Sequence, residues 1–334
     1  MIRAHLCVAL LLGLPGAALG NDTMASLGVG GLEFLVSDKI EMAREDLYVS
    51  MDEVRVRYEF RNVSDEDETA LVAFPMPDIT GSPDFMVNLP TENSDNVFDF
   101  ETLLDGEPVN AELHQYVFAA NIDQTKLLRQ LGVPLAPFSQ ATRAALGELD
   151  EGELAELAHR GMIVPLDFDQ GQGWEREFYP VWTLKSTYSW EAHFPAGETV
   201  VVEHRYKPSV GGTVGVTFLV EPFEDYDPAA DYARRYCTDE AFLNAVRRTL
   251  KDGDPYSAPF TEFWLSYIWS TGANWAGPIK QFRLVVDKGR PENLVSFCGE
   301  GVKKIGPTSF EMVREDFWPS NSELDVLILN RQTD

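Results

Sequence analysis

Hydrophobic and polar positions alternate most strictly at residues 54–61. Val54, Val56, Tyr58 and Phe60 fall on one parity; Arg55, Arg57, Glu59 and Arg61 fall on the other. A strand with one face buried and one wet gives this pattern. Residues 62–68 are polar and suit a turn, and 69–74 are almost wholly apolar, as in a strand covered on both sides. Pro75 and Pro77 end that run, because proline offers no ladder N–H. Residues 54–79 therefore predict a β-hairpin at the heart of a sandwich. A second pair follows the same logic. Trp182, Leu184, Tyr188, Trp190 and Phe194 share a parity, Pro195-Ala196-Gly197-Glu198 turns the chain, and Val200, Val202, His204 and Tyr206 return. A shared apolar face sets Phe194 opposite Val200 and Trp190 opposite His204. It also places His204 in the core as a hydrogen-bonded residue rather than a ligand.

Further strands are predicted at 32–36, 40–50, 97–104, 108–118, 214–220, 282–286, 294–298, 309–313 and 324–329. Asp105-Gly106 supplies a hairpin turn between the third and fourth of these. The glycines at 28, 30 and 31 lack the Lys-Ser/Thr of a phosphate loop. Residues 121–161 differ in kind, with Leu, Ala, Gln and Arg abundant and β-branched residues scarce. Asn121 is expected to cap a helix reaching Leu131 and Ser139 a second; Asp150 with Glu153 forms a capping box for a third, which Gly161 ends. Inserts on a rigid scaffold often carry function. Residues 221–231 read as an acidic linker. Thr238 is expected to cap one helix reaching about Lys251, with Asp239 and Glu240 in its first turn and Arg247, Arg248 and Lys251 in its last. The fold predicted is mainly β. It has two β-sandwich-like domains, 21–212 with a helical insert at 121–161 and 213–334 with one helix.

The length of 334 residues agrees with two domains. The net charge of −27 changes the picture of partners, since such a surface repels nucleic-acid phosphates and anionic lipid heads. Residues 1–20 have the form of a secretory signal peptide: Arg3, a short apolar run at 6–14, and Ala18-Leu19-Gly20 before Asn21. No later run approaches the ~18 apolar residues of a membrane helix. The expectation is a periplasmic or secreted protein with no integral membrane segment after cleavage. Two cysteines then remain, Cys237 and Cys298, which in an oxidising compartment suit one disulfide; two separate buried thiols are the alternative.

Motifs for chemistry are few. There is no G-x-S-x-G, and His114, His159, His193 and His204 show no metal-ligand spacing. Asp167, Asp169 and Glu175 stand on a loop with Gly171 and Gly173, where calcium could bind, although the spacing is not that of an EF-hand. A plain acidic loop is the alternative. Glu221, Glu224, Asp225, Asp227 and Asp231 form a second acidic cluster of the same standing. Trp264, Tyr267, Trp269 and Trp275 could stack on a sugar or clamp a peptide, or pack a second core. Nothing selects two of the 54 acids as a glycoside-hydrolase pair.

Four stretches resemble a known family: N-D-T-M-A-S-L-G-V-G-G-L-E-F at 21–34, V-A-F-P-M-P-D-I at 72–79, T-G-A-N-W-A-G-P-I-K-Q-F-R-L-V-V at 271–286, and S-F-C-G-E-G-V-K-K-I at 296–305. Together they resemble the exported bacterial proteins grouped as domain-of-unknown-function family 4424. The resemblance covers the mature chain, implies a periplasmic or secreted location and implies no activity. A weaker likeness, through 54–62, Phe74-Pro75-Met76-Pro77, Asp105-Gly106 and residues 194–198, is to the VIT-domain sandwich. That family's following metal motif, D-x-S-x-S, does not occur here. The reading is a non-catalytic exported module that binds a protein or envelope component. The alternatives are a carbohydrate- or cell-wall-active hydrolase using paired carboxylates, and a calcium-dependent structural or adhesive protein.

Overall fold

The computed structural model describes residues 21–28, 31–83, 86–91, 96–169, 171, 173–222, 226–319 and 323–332. The signal-like residues 1–20 lie outside this set, as do Glu224 and Asp225 of the second acidic cluster. The protein is mainly β, built from three large sheets in sandwich-like layers. The largest has eight strands in the order Lys303–Lys304, Ser309–Phe317, Ile279–Asp287, Ile40–Val49, Val54–Asn62, Thr199–Tyr206, Glu101–Leu104, Glu107–Val109. Ile279–Asp287 runs parallel to Ile40–Val49, and the other neighbours are antiparallel. The second sheet runs Ile122–Asp123, Glu112–Ala119, Thr183–Phe194, Glu68–Pro75, Thr23–Gly28, Gly31–Leu35, with Ile79–Thr80 also paired to Thr183–Phe194. The third runs Leu294–Phe297, Glu323–Arg331, Phe260–Ile268, Val210–Val214, Met86–Asn88.

The alternation at 54–61 determines how the sheets stack. Val54, Val56, Tyr58 and Phe60 are buried, and the arginines between them face outwards. On that inner face the His204 ring lies 4.9 Å from Phe74 and 5.0 Å from Trp190, both in the second sheet. The Tyr58 hydroxyl meets that of Tyr267, in the third sheet, at 2.8 Å. One face of the large sheet is thus covered by both other sheets. The main core accordingly draws on both halves of the chain, from Ile40 and Val72 to Leu284 and Ile328. The boundary expected at 212/213 falls inside the strand Val210–Val214. A smaller core lies on the far side of the third sheet, where Phe218, Tyr236, Leu243 and Val246 meet Phe260, Leu327 and Leu329.

Both expected hairpins are corrected. Val54–Asn62 belongs to the large sheet and Glu68–Pro75 to the second, so the polar turn carries the chain across the core. The same holds for Thr183–Phe194 and Thr199–Tyr206. Phe194 pairs with Glu68 and Trp190 with Val72, while Val200 pairs with Phe60 and His204 with Val56. Parity reports which face is apolar but not which sheet a strand joins. Trp190 and His204 still meet across the sandwich, their rings edge to face. The two crossings lie side by side, tied by the fully buried Asn62. Its Nδ2 donates to the carbonyls of Glu66 at 2.8 Å and Phe194 at 2.9 Å, and its main-chain N–H donates to Glu198.

Other boundaries shift for local reasons. Asp105-Gly106 does turn a hairpin, but its second strand is short, and Glu112–Ala119 pairs instead with Thr183–Phe194. Ala120 and Asn121, with φ of 48° and 63°, make a tight turn; the first helix is Thr125–Gln130. Ser139 caps Gln140–Gly147, and Asp150 with Glu153 forms the capping box of Glu151–His159, as expected. The strand expected at 214–220 is Val210–Val214 followed by a 3-10 turn at Thr217–Leu219. Two helices stand where one is expected. Asp227 caps Pro228–Tyr236, with proline at the first position where no N–H is missed, and Asp239, not Thr238, caps Glu240–Arg247. Cys237 ends the first in a left-handed conformation (φ 54°) and is bridged to Cys298.

Candidate binding cleft

The helical insert is fixed to the second sheet by Leu128, Leu146, Leu157, Met162 and Ile163, all buried in the main core. The Trp182 indole N–H donates to the Leu135 carbonyl at 2.8 Å, and the buried Thr142 hydroxyl donates to that of Ala136 at 2.7 Å. From this base rises a two-stranded ribbon, Ile163–Asp169 and Trp174–Pro180, whose strands pair only with each other among the described residues. Gly81 lets the chain pass its root: a Cβ there would stand 2.3 Å from the Pro180 carbonyl oxygen.

Between insert and ribbon lies a cleft of about 510 Å³, within the range of small-ligand and peptide sites. Pro83, Pro137, Phe138, Leu146, Phe178 and Pro180 give it apolar walls, and Arg143, Arg176 and Tyr179 supply polar groups. Arg176 is held by both carboxylate oxygens of Asp167, at 2.7 and 3.0 Å. The Tyr179 hydroxyl donates to Glu177 at 2.8 Å, which holds its proton more tightly than usual. Among the described residues Arg143 has no ion-pair partner, leaving a free cation beside an apolar wall in a strongly acidic protein. The ribbon itself exposes Trp174 (75%), Phe168 (39%) and Val164 (36%). A shallower hollow of about 450 Å³ lies on the outer face of the large sheet. There Arg57 meets Glu59, Arg205 meets Glu53 and Arg283 meets Glu311, a solvated charged surface.

The residues singled out from the sequence lie elsewhere or apart. Tyr267, Trp269 and Trp275 are buried in the main core, and Trp264, half-buried, lies across Gly211 on the neighbouring strand. Tyr267 and Trp264 stand on a sheet covered on both faces, whereas Trp269 and Trp275, beyond its strand, pack against Phe282 and Phe317 and against Phe60 and Phe194. Asp167 is engaged by Arg176, Asp169 accepts the Gly171 N–H, and Glu175 alternates to the opposite ribbon face. Among the described residues no three His, Cys, Asp or Glu side chains are grouped to hold a metal ion. Cys237 and Cys298 form the disulfide, with Cα atoms 5.0 Å apart. Sequence reasoning missed the ribbon and with it Phe178, Tyr179 and Trp174, and it did not single out Arg143 on the insert helix Gln140–Gly147. The alternation of Val164, Leu166 and Phe168 carried a strand signal, which the glycine-bearing acidic loop obscured.

Among the described residues no helix is long and apolar enough to cross a membrane. No curated protein matches the chain. A solved structure from Legionella pneumophila, described provisionally as a nutrient binding protein, is similar over 88% of this chain and 68% of its own. The identity is 16% and the TM-score 0.43. A family profile matches residues 20–327, nearly the whole length, and on that match the chain belongs to the family described as Domain of unknown function (DUF4424).

Proposed function

We propose that this chain is an exported, non-catalytic protein of the bacterial envelope, periplasmic or secreted, that binds a protein or another envelope component through the cleft and ribbon at 81–83 and 137–180. The observation that carries the reading is Arg143, without an ion-pair partner among the described residues, on the apolar wall beneath a ribbon with Trp174 exposed. An exposed indole and a free guanidinium are the side chains that most often anchor interfaces. Among the described residues both edges of the ribbon are unpaired, and an extended partner segment can join them by strand addition. The signal-like residues 1–20 and the single disulfide support export. A photoreactive amino acid at position 174, in cells with an intact envelope, tests the proposal. The expected result is one dominant cross-linked species, absent when Arg143→Glu is combined with it and absent when the probe replaces Tyr256, an exposed residue remote in sequence. Equal cross-linking from positions 174 and 256, or indifference to Arg143→Glu, overturns it.

A further inference from the structure

Residues 21–23 are held inside the protein as a bound tripeptide would be. Asn21, Asp22 and Thr23 are all fully buried. The stretch from Trp269 to Trp275 closes over them. The Thr271 hydroxyl accepts from the Asn21 main-chain nitrogen and donates to the Asn21 carbonyl. The Trp275 indole N–H donates to the Asp22 carbonyl at 2.7 Å, and Asn274 Nδ2 donates to the Thr23 hydroxyl at 3.0 Å. Gly272 leaves room for the Asn21 side chain, since a Cβ there would stand 2.9 Å from Asn21 Nδ2 and 3.0 Å from Ile279. Asn21 Nδ2 in turn donates to Glu45 Oε2 at 3.1 Å. Two of the four stretches that carry the family likeness, N-D-T-M and T-G-A-N-W, are thus the two sides of one contact.

The charges in this seat do not balance. Asp22 and Glu45 are both fully buried. Asp22 Oδ1 faces His204 Nε2 at 3.0 Å. Glu45 meets Asn21 and, at 3.4 Å, the Tyr267 hydroxyl, which touches that of Tyr58. Among the described residues no lysine or arginine pairs with Glu45. A buried carboxylate without a cation is costly. Among the described residues two buried polar atoms at the seat, Asp22 Oδ2 and Ser270 Oγ, have no partner. An amide at Asn21 offers one N–H, whereas an ammonium offers three and a positive charge.

We infer that hydrolysis of the Gly20–Asn21 peptide bond seats the new α-ammonium of Asn21 in this interior as the cation that Glu45 lacks, so that the full stability of the fold depends on processing. The step adds one water across the amide. Gly20 leaves as a carboxylate, and Asn21 keeps an amine that takes a proton at neutral pH, its ordinary pKa being about 8. The inference rests on the reading of residues 1–20 as a signal and is independent of the cleft.

The exported protein should begin at Asn21 by N-terminal sequencing. At neutral pH an amine-acylating reagent should modify its folded α-amine at least tenfold more slowly than the unfolded one. A chain with one extra glycine before Asn21 should melt roughly 5 °C lower, in keeping with a broken buried pair in a protein of this size. Glu45→Gln should abolish most of that difference. A chain start elsewhere, acylation as fast as in the unfolded chain, or equal melting of the two chains overturns the inference. If the extended chain does not fold, acylation of the native processed chain decides.

Discussion

At the scale of single residues Glu45 has the most informative surroundings. Burial is the largest influence on its carboxyl and pushes it up to about 8. Hydrogen bonds from Asn21 and Tyr267 oppose this, and the neighbouring charges of Asp22 and Asp46 add to it. A carboxyl raised above its unfolded value of about 4.3 holds its proton more tightly in the folded state. Its contribution to stability is then greatest below about pH 4.3 and declines as pH rises towards 8. The decline applies where Asn21 is an amide, as in the glycine-extended chain. For that chain the melting temperature should fall between pH 5 and pH 8, and Glu45→Gln should flatten the fall. In the chain that begins at Asn21 the ammonium favours the ionised carboxylate, and the same substitution should change the slope much less. His204, Asp22, Tyr58 and Tyr267 also face this site, so the informative quantity is the difference between each chain and its Glu45→Gln partner across the pH series.

Among the elements, the helix pair Pro228–Tyr236 and Glu240–Arg247 depends most on a single bond. It covers the third sheet through a small core and is joined to it by Cys237–Cys298, 61 residues apart in sequence. Closing a loop of that length is worth about 4 kcal/mol in the chain-entropy model. Replacing both cysteines by alanine should cost about that much in a denaturant titration. Amide exchange should speed up first within 228–247, ahead of Val54–Asn62, whose contacts the bridge does not touch. This bridge was legible in the sequence because reading residues 1–20 as a signal leaves two cysteines to pair. Helix caps at Ser139 and Asp150 were equally plain, since one side chain and the N–H three residues on make the signal. The sheet partners of Val54–Asn62 were not: a turn such as 62–67 has the same composition whether it reverses the chain within a sheet or carries it across to another. The aromatic run at 263–275 left surface and core undecided, because a sheet covered on both faces loses the alternation that marks a wet side. The cleft was out of reach for a third reason. Pro83, Phe138, Arg143 and Phe178 come together only through the fold, with no local motif to announce them.

For the whole molecule the central fact is that one face of the eight-stranded sheet supports both other sheets. Ile40–Val49, from the first half of the chain, pairs in parallel with Ile279–Asp287, from the second. Tyr58 and Phe60 are covered partly by Tyr267 and Trp275, from beyond the boundary read at 212/213. A chain of residues 21–212 alone would lose the cover over Tyr58 and Phe60. It would also leave Ile40–Val49 as an open edge that carries Leu47 and Val49, both of which are buried in the intact protein. An exposed edge next to a large apolar surface promotes aggregation. The fragment 21–212 is therefore expected to be insoluble, or to lack a cooperative melt by circular dichroism, while the whole chain unfolds in one main transition. Two autonomous domains would behave in the opposite way. The fragment would melt sharply by itself, and the intact protein would show two separable transitions, because each core would then close without side chains from the other half.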